Sequence, residues 1–161
     1  IGDGVMCIEF QTKGNSIGEG IAKGINEAID IAERDGWNGI VIGNNDKQFS
    51  VGANLMNMGM MAMQKNFDEI EKFLVGFQKI LMRMRTCNIP VVSATHGFVL
   101  GGGLEVSIHC DAGIHASESY IGLVEAGVGL IPGGGGTKEM AMRASDSFNS
   151  GDVKMLSLIH I

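Results

Sequence analysis

A chain of 161 residues is about one domain, and its 45% hydrophobic and 19% charged residues suit a packed globular protein rather than a disordered one. Twelve basic against eighteen acidic residues leave a formal net charge of −6, which argues against a footprint on nucleic-acid phosphates. No apolar run approaches the roughly 18 residues that cross a bilayer, and Ile1-Gly2-Asp3-Gly4 lacks the basic and apolar regions of a signal peptide.

Taken in chain order, Val5 to Phe10 reads as a short strand, followed by a polar turn from Gln11 to Ser16. Ile21, Ile25, Ala28, Ile29 and Ala32 recur at three- and four-residue steps and predict a helix from about Ile17 to Arg34. Gly36 and Asn38 end it, and Gly39 to Gly43 is a buried-strand candidate. The strand–helix–strand order predicts α/β layering. The turn Phe49-Ser50-Val51-Gly52-Ala53-Asn54-Leu55 then leads into a methionine-dense run, Met56 to Met63. Ile70, Phe73, Leu74, Phe77, Ile80, Leu81 and Met84 share one stripe of a helix from Phe67 to Arg85, stopped by Asn88-Ile89-Pro90. A second buried strand, Pro90 to Thr95, precedes His96-Gly97-Phe98-Val99-Leu100 and then Gly101-Gly102-Gly103. A helix from Leu104 to Cys110, a strand from Ala112 to Ala116, and a helix from Thr137 to about Arg143 complete the pattern. Residues 1–148 read as one domain, and 149–161 as a frayed or foreign tail without function.

Three cysteines, Cys7, Cys87 and Cys110, form no CxxC pair, so free and mostly buried thiols in a reducing, cytoplasmic compartment are expected. His96, His109, His115 and His160 show no ligand spacing, so no metal site is expected. No initiator Met opens the chain, and the expectation is a start inside a longer polypeptide.

Glycine, at 25 residues, is twice its usual share of about 7%, so where it clusters matters. Gly18 to Gly24 misses the dinucleotide spacing by one residue and does not follow its strand directly. Gly133 to Lys138 is no P-loop, since the lysine follows the threonine. Gly101-Gly102-Gly103 differs, because it follows an apolar strand and opens a helix bearing Glu105. Read alone, it is either a strand–helix packing contact or a set of free N–H groups for a developing oxyanion. The turn 49–55 offers the N–H of Ala53 as a second donor. Glu105 and Glu125 both stand in apolar surroundings, either as salt-bridged structural residues or, beside such donors, as an acid/base pair.

FSVGANL (49–55), HGFVLGGGLEVSIHCD (96–111) and GLVEAGVGLIPGGGGT (122–137) together resemble the crotonase superfamily of enoyl-CoA hydratases and isomerases, over about Val5 to Arg143. Within it, the chain looks most like the hydratase domain fused to bacterial 3-hydroxyacyl-CoA dehydrogenases of fatty-acid β-oxidation. The resemblance implies an α/β fold of repeated ββα units, here C-terminally truncated, because the family continues with helices that close the acyl pocket and build a trimer. It makes the N–H groups of Ala53 and Gly102 the oxyanion hole. Glu105 becomes the carboxylate that activates water, and Glu125 the one that exchanges a proton with the α-carbon. Family isomerases usually keep one of the pair, so both together imply hydration. Implied substrate-binding residues are Ile17, Ser50, Gly52, Ala53, Asn54, Leu55, Gly101, Gly102, Glu105, Val124, Glu125 and Gly133. Coenzyme A would enter as part of the substrate, with no cofactor, nucleic acid or membrane, and with a homo-oligomer for the full-length protein. Asn54 departs from the family's usual Asp. The methionine run reads either as adaptable packing or as a pliable wall for acyl tails. A Δ3-Δ2 enoyl-CoA isomerase using Glu125 alone, and a non-catalytic acyl-CoA-binding or oligomerisation module, remain as alternatives.

Overall fold

A computed structural model describes residues 2–146; the proposed boundary at 148 and the tail 149–161 lie outside the described residues. Four strands, β1 (Val5–Ile8), β2 (Gly39–Gly43), β3 (Val91–Thr95) and β5 (Ala112–His115), form a parallel sheet in the order β1-β2-β3-β5. Between β3 and β5 the chain forms β4 (Phe98–Leu100) and the helix α4 (Gly102–Ile108), and after β5 it forms β6 (Tyr120–Gly122). β4 pairs in parallel with β6, and single parallel bridges, Ser50–Val99 and Ile17–Ala53, continue that second layer. Each strand of the large sheet is therefore followed by a short segment of the second layer and then by helix or helical turn. This is the repeated ββα arrangement expected.

The helices fall close to where periodicity placed them. α1 (Glu19–Asp35) buries Ala22, Ile25, Ile29 and Ala32, and ends on Gly36, whose φ of 70° is left-handed backbone that glycine adopts without strain. α3 (Phe67–Thr86) buries Phe77, Leu81 and Met84, while the rest of its predicted stripe is half-buried. α5 (Gly136–Asp146) starts one residue before the predicted Thr137. α2 (Leu55–Met63) is the helix the methionine run makes; it buries none of its residues. The core joins α1 and α3 to the sheet through Ile40, Ile42, Phe49, Val91 and Val99.

One correction concerns the cysteines. Cys7, on edge strand β1, is exposed and Cys87 half-buried, so of the three thiols only Cys110 is buried. Burial pushes the Cys110 thiol up to about 12, which makes it an unreactive packing group. At the other edge every residue of β5 is exposed, Ile114 included at 68%. Among the described residues no helix is long and apolar enough to cross a membrane.

Leu81 is fully enclosed between α3, α1 and the sheet. Leu81→Ala is expected to lower the unfolding free energy by about 2–5 kcal/mol, read from urea midpoints. A midpoint equal to that of the unsubstituted chain would contradict the packing described.

Candidate active site

The site begins with how a turn is held. Asn44, buried beyond the end of β2, accepts from the Phe10 N–H at 2.7 Å and donates to the Phe49 carbonyl at 2.5 Å. Asn15 donates to the Gln48 carbonyl at 3.0 Å, and the Ser50 hydroxyl donates to the Asn15 carbonyl at 2.7 Å while accepting from Gly52 N–H at 3.1 Å. Together these contacts tie residues 48–52 to the segment after β1. The Ile17 N–H then donates to Gly52 O at 2.8 Å, and the Asn54 N–H to Ile17 O at 3.0 Å. In a parallel bridge of this register, the partner residue's own N–H points to the opposite side. Ala53 therefore turns its amide away from Ile17.

On that opposite side lies the start of α4. A Cβ placed on Gly102 would come 3.4 Å from the Ala53 nitrogen, 3.6 Å from Ile17 Cδ1 and 3.7 Å from Phe77 Cε1. Gly102 is in the first turn of α4, where N–H groups have no intrahelical acceptor. Neither the Ala53 nor the Gly102 amide has an acceptor among the described residues. Gly52 has φ of 90°, and a Cβ there would stand 2.7 Å from the Leu100 carbonyl oxygen and 3.2 Å from the Gly102 nitrogen. Only glycine fits between the two layers at this point.

Two carboxyl groups flank the amides. Glu105, one turn into α4, is 2% exposed, and its Oε1 accepts from the Gly134 and Gly136 N–H groups at 2.8 and 2.9 Å. Burial raises its pKa above the ordinary carboxylate value; the Gly136 amide opposes this, and the charge of Glu125 adds to it. Glu125 starts a single 3-10 turn after β6, half-buried, and leans on Gly101, where a Cβ would come 3.0 Å from its Oε1. Its Oε2 is buried without a hydrogen-bond partner among the described residues, and burial raises its pKa too. The arrangement offers two converging donors for a developing negative oxygen, with two proton-holding groups beside them.

A cavity of about 880 Å³ lies between α1, α2 and α3. Ile17 and Phe77 line it and also lie against Gly102, so these two side chains stand between the cavity and the amide pair, which does not itself line it. Met58, Met60 and Met61 line it as well, whereas Met56 and Met63 face outward.

The remaining predicted residues divide. Asn54 lines the cavity and caps α2 by accepting from the Asn57 N–H at 3.3 Å; Gly101 turns the chain at φ 51° into α4. Leu55 and Val124 are exposed, at the start of α2 and immediately before Glu125. Ser50 and Gly133 are turned elsewhere. Ser50 is 0% exposed, with its hydroxyl committed to the turn. Gly133 packs on Leu74 and gives its carbonyl to Gln78 Nε2 at 2.6 Å. Sequence reasoning missed the Gly134 and Gly136 amides, Asn44, and Phe77 as a site wall. Four glycines directly before a helix start were the available signal for the first two.

The family model described as enoyl-CoA hydratase/isomerase matches residues 1–151. A Bacillus subtilis (strain 168) protein named "Probable 3-hydroxyacyl-CoA dehydrogenase" is 44% identical over 140 residues, covering 87% of this chain and 18% of that protein. The short-chain-enoyl-CoA hydratase of Clostridium acetobutylicum is 36% identical over 102 residues, 63% of this chain and 38% of that one. The crystal structure of an enoyl-CoA hydratase from Polaromonas sp. JS666 superposes with a TM-score of 0.82 at 24% identity, over 86% of this chain and 55% of that one. The chain belongs to the enoyl-CoA hydratase/isomerase family. It spans well under half the length of these two sequence relatives.

Gly52→Ala is expected to destabilise the fold by about 1–3 kcal/mol through its left-handed φ and the Leu100 carbonyl. Thermal unfolding checks this, and an unchanged midpoint would mean that the turn is not held as described.

Proposed function

We propose that this chain supplies the catalytic centre of an enoyl-CoA hydratase that adds water to trans-2-enoyl-CoA in fatty-acid β-oxidation, within a larger 3-hydroxyacyl-CoA dehydrogenase polypeptide. The observation that carries this reading is the pair of acceptorless amides at Ala53 and Gly102, flanked by two carboxyl groups of raised pKa. The thioester carbonyl accepts from both amides. Electron density moves onto that oxygen, and C3 becomes electrophilic. Each such donor contributes about 3–4 kcal/mol to the stability of the oxyanion. Glu105, ionised and oriented by Gly134 and Gly136, takes a proton from water as its oxygen bonds to C3. Glu125, protonated, gives its proton to C2, and the carbonyl re-forms. One proton has left water and one has reached carbon; exchange with solvent restores both glutamates.

Burial raises both pKa values, and two carboxylates in one site disfavour double ionisation, so one proton shared between the pair suits the step. Hydration leaves the overall oxidation level of the thioester unchanged, so the reading calls for no cofactor beyond the coenzyme A of the substrate. The acyl tail occupies the cavity between α2 and α3, where Met58, Met60 and Met61 adapt to it. The exposed face of β5, with Ile114, and the neighbouring Tyr120 supply apolar area for assembly into a homo-oligomer. A cytoplasmic setting accords with free thiols.

The test is loss of crotonyl-CoA absorbance together with identification of the product. Glu105→Gln and Glu125→Gln are each expected to reduce turnover by about 10²-fold or more. The rate of the unsubstituted protein should rise with pH as Glu105 ionises and fall at higher pH as Glu125 does. Near-normal turnover in both variants would remove the acid/base assignment, and a double-bond-shifted product without 3-hydroxyacyl-CoA would make the protein an isomerase.

A further inference from the structure

α5 carries a buried charge that plays no part in the hydration step. Glu139, in its first turn, is 0% exposed, and its Oε1 accepts from Arg85 Nη1 and, at 3.1 Å, from Arg143 Nε. Its Oε2 has no hydrogen-bond partner among the described residues. The same is true of Nε2 of His109, which is 1% exposed and stands 4.0 Å from that oxygen. Such a gap is outside direct hydrogen-bond range, so no bond joins the two side chains. The other ring nitrogen, Nδ1, lies 2.7 Å from the main-chain carbonyl oxygen of Glu105. A carbonyl only accepts, so Nδ1 carries the proton, and in the neutral ring Nε2 turns a lone pair toward Glu139.

The start of α5 closes the ring of contacts. Gly134 and Gly136 hold the Glu105 carboxyl, and the Glu139 N–H donates to the Gly135 carbonyl at 3.0 Å. A Cβ on Gly135 would lie 3.9 Å from the His109 ring, so the loop passes close to the imidazole. Glu105 is thus held at its side chain by the loop and at its carbonyl by His109, and the Glu139 side chain ties the helix that follows the loop to Arg85 of α3.

We propose that His109 and Glu139 are positioning residues for Glu105, fixing the carboxyl that meets the reacting water through one circuit of contacts: His109 by its Nδ1 bond to the Glu105 carbonyl, and Glu139 by the Arg85 and Arg143 pairs that seat the start of α5 and its loop 134–136. The proposal rests on the hydratase reading. The groups facing the imidazole are Lys138, Glu139 and Arg143 on α5, Arg85 on α3, and the Glu105 carbonyl on α4. Burial lowers the His109 pKa, the bond to the Glu105 carbonyl opposes this, and the three cations lower it further, which favours the neutral ring donating through Nδ1. Breaking the circuit frees the loop 134–136, and Glu105 loses the amides that oppose the effect of burial. Its pKa then rises further, and the acidic limb of the rate profile moves to higher pH.

Nitrogen NMR of the unsubstituted protein tests the circuit without turnover: His109 is expected as the Nδ1–H tautomer, and the Nε2–H tautomer would overturn the proposal. In crotonyl-CoA kinetics, His109→Asn keeps a donor near the Glu105 carbonyl but falls short of Glu139, and Glu139→Gln keeps the shape while removing the charge. Each is expected to lower kcat about tenfold, with KM within about twofold, and to raise the acidic limb by about half a pH unit. Folded variants with reduced melting temperature but with kcat and limb unchanged would show a purely structural role and overturn the proposal. Should either variant not fold, His109→Gln, which loses the bond to the Glu105 carbonyl, is expected to give the same limb shift; an unmoved limb counts against the circuit. A protein without any turnover of crotonyl-CoA overturns the hydratase reading, and the tautomer alone then decides for or against the circuit.

Discussion

Two main-chain N–H groups from separate segments of the chain meet beside one cavity, and the rest of the molecule makes that meeting possible. Ala53 belongs to a turn bonded to the Ile17 segment, and Gly102 to the start of a helix following β4. They come together because the second layer runs beside the large parallel sheet, joined by the Ile17–Ala53 and Ser50–Val99 bridges. A side chain at 52 would strike the carbonyl of Leu100, and one at 102 would come up against the Ala53 nitrogen at 3.4 Å. The site is therefore made by leaving side chains out. Backbone donors so fixed would lose little orientational freedom on meeting an oxyanion, and the proposed hydration step draws on that advantage.

The same geometry separates the two carboxyl groups by environment. Glu105 is almost fully buried, with two amides on one oxygen that orient it. Glu125 is half-buried, leans on a glycine and keeps one oxygen unpaired among the described residues. Amide donation from the loop favours the ionised form of Glu105. Burial resists ionisation in both, and the Glu125 charge further disfavours that of Glu105.

Much of this was legible in the sequence, and what was not has physical causes. The stripes Ile25–Ile29–Ala32 and Phe77–Leu81–Met84 announce buried helix faces by spacing alone. The methionine run hid α2, since a helix that buries none of its residues has no apolar face for periodicity to find. β6 has only three residues and depends on β4 for its hydrogen bonds. Ala53, Gly102, Glu105 and Glu125 could be named from their motifs, but motifs give no direction: Ser50 turns inward to Asn15, and Gly133 turns to α3. The amides of Gly134 and Gly136 serve a glutamate some thirty residues earlier, a pairing that exists only once α5 packs on α4. His109 and Glu139 were out of reach for the same reason: nothing local to either marks the other.

The most direct measurement of the central claim is the vibrational spectrum of bound crotonyl-CoA labelled at its thioester carbonyl. Both amides bonding to that oxygen would shift the carbonyl stretch well below its position in water. A stretch at the solution frequency, with the ligand shown to be bound, would mean that Ala53 and Gly102 do not hold the carbonyl, and that the hydration step does not run through an oxyanion at these two amides.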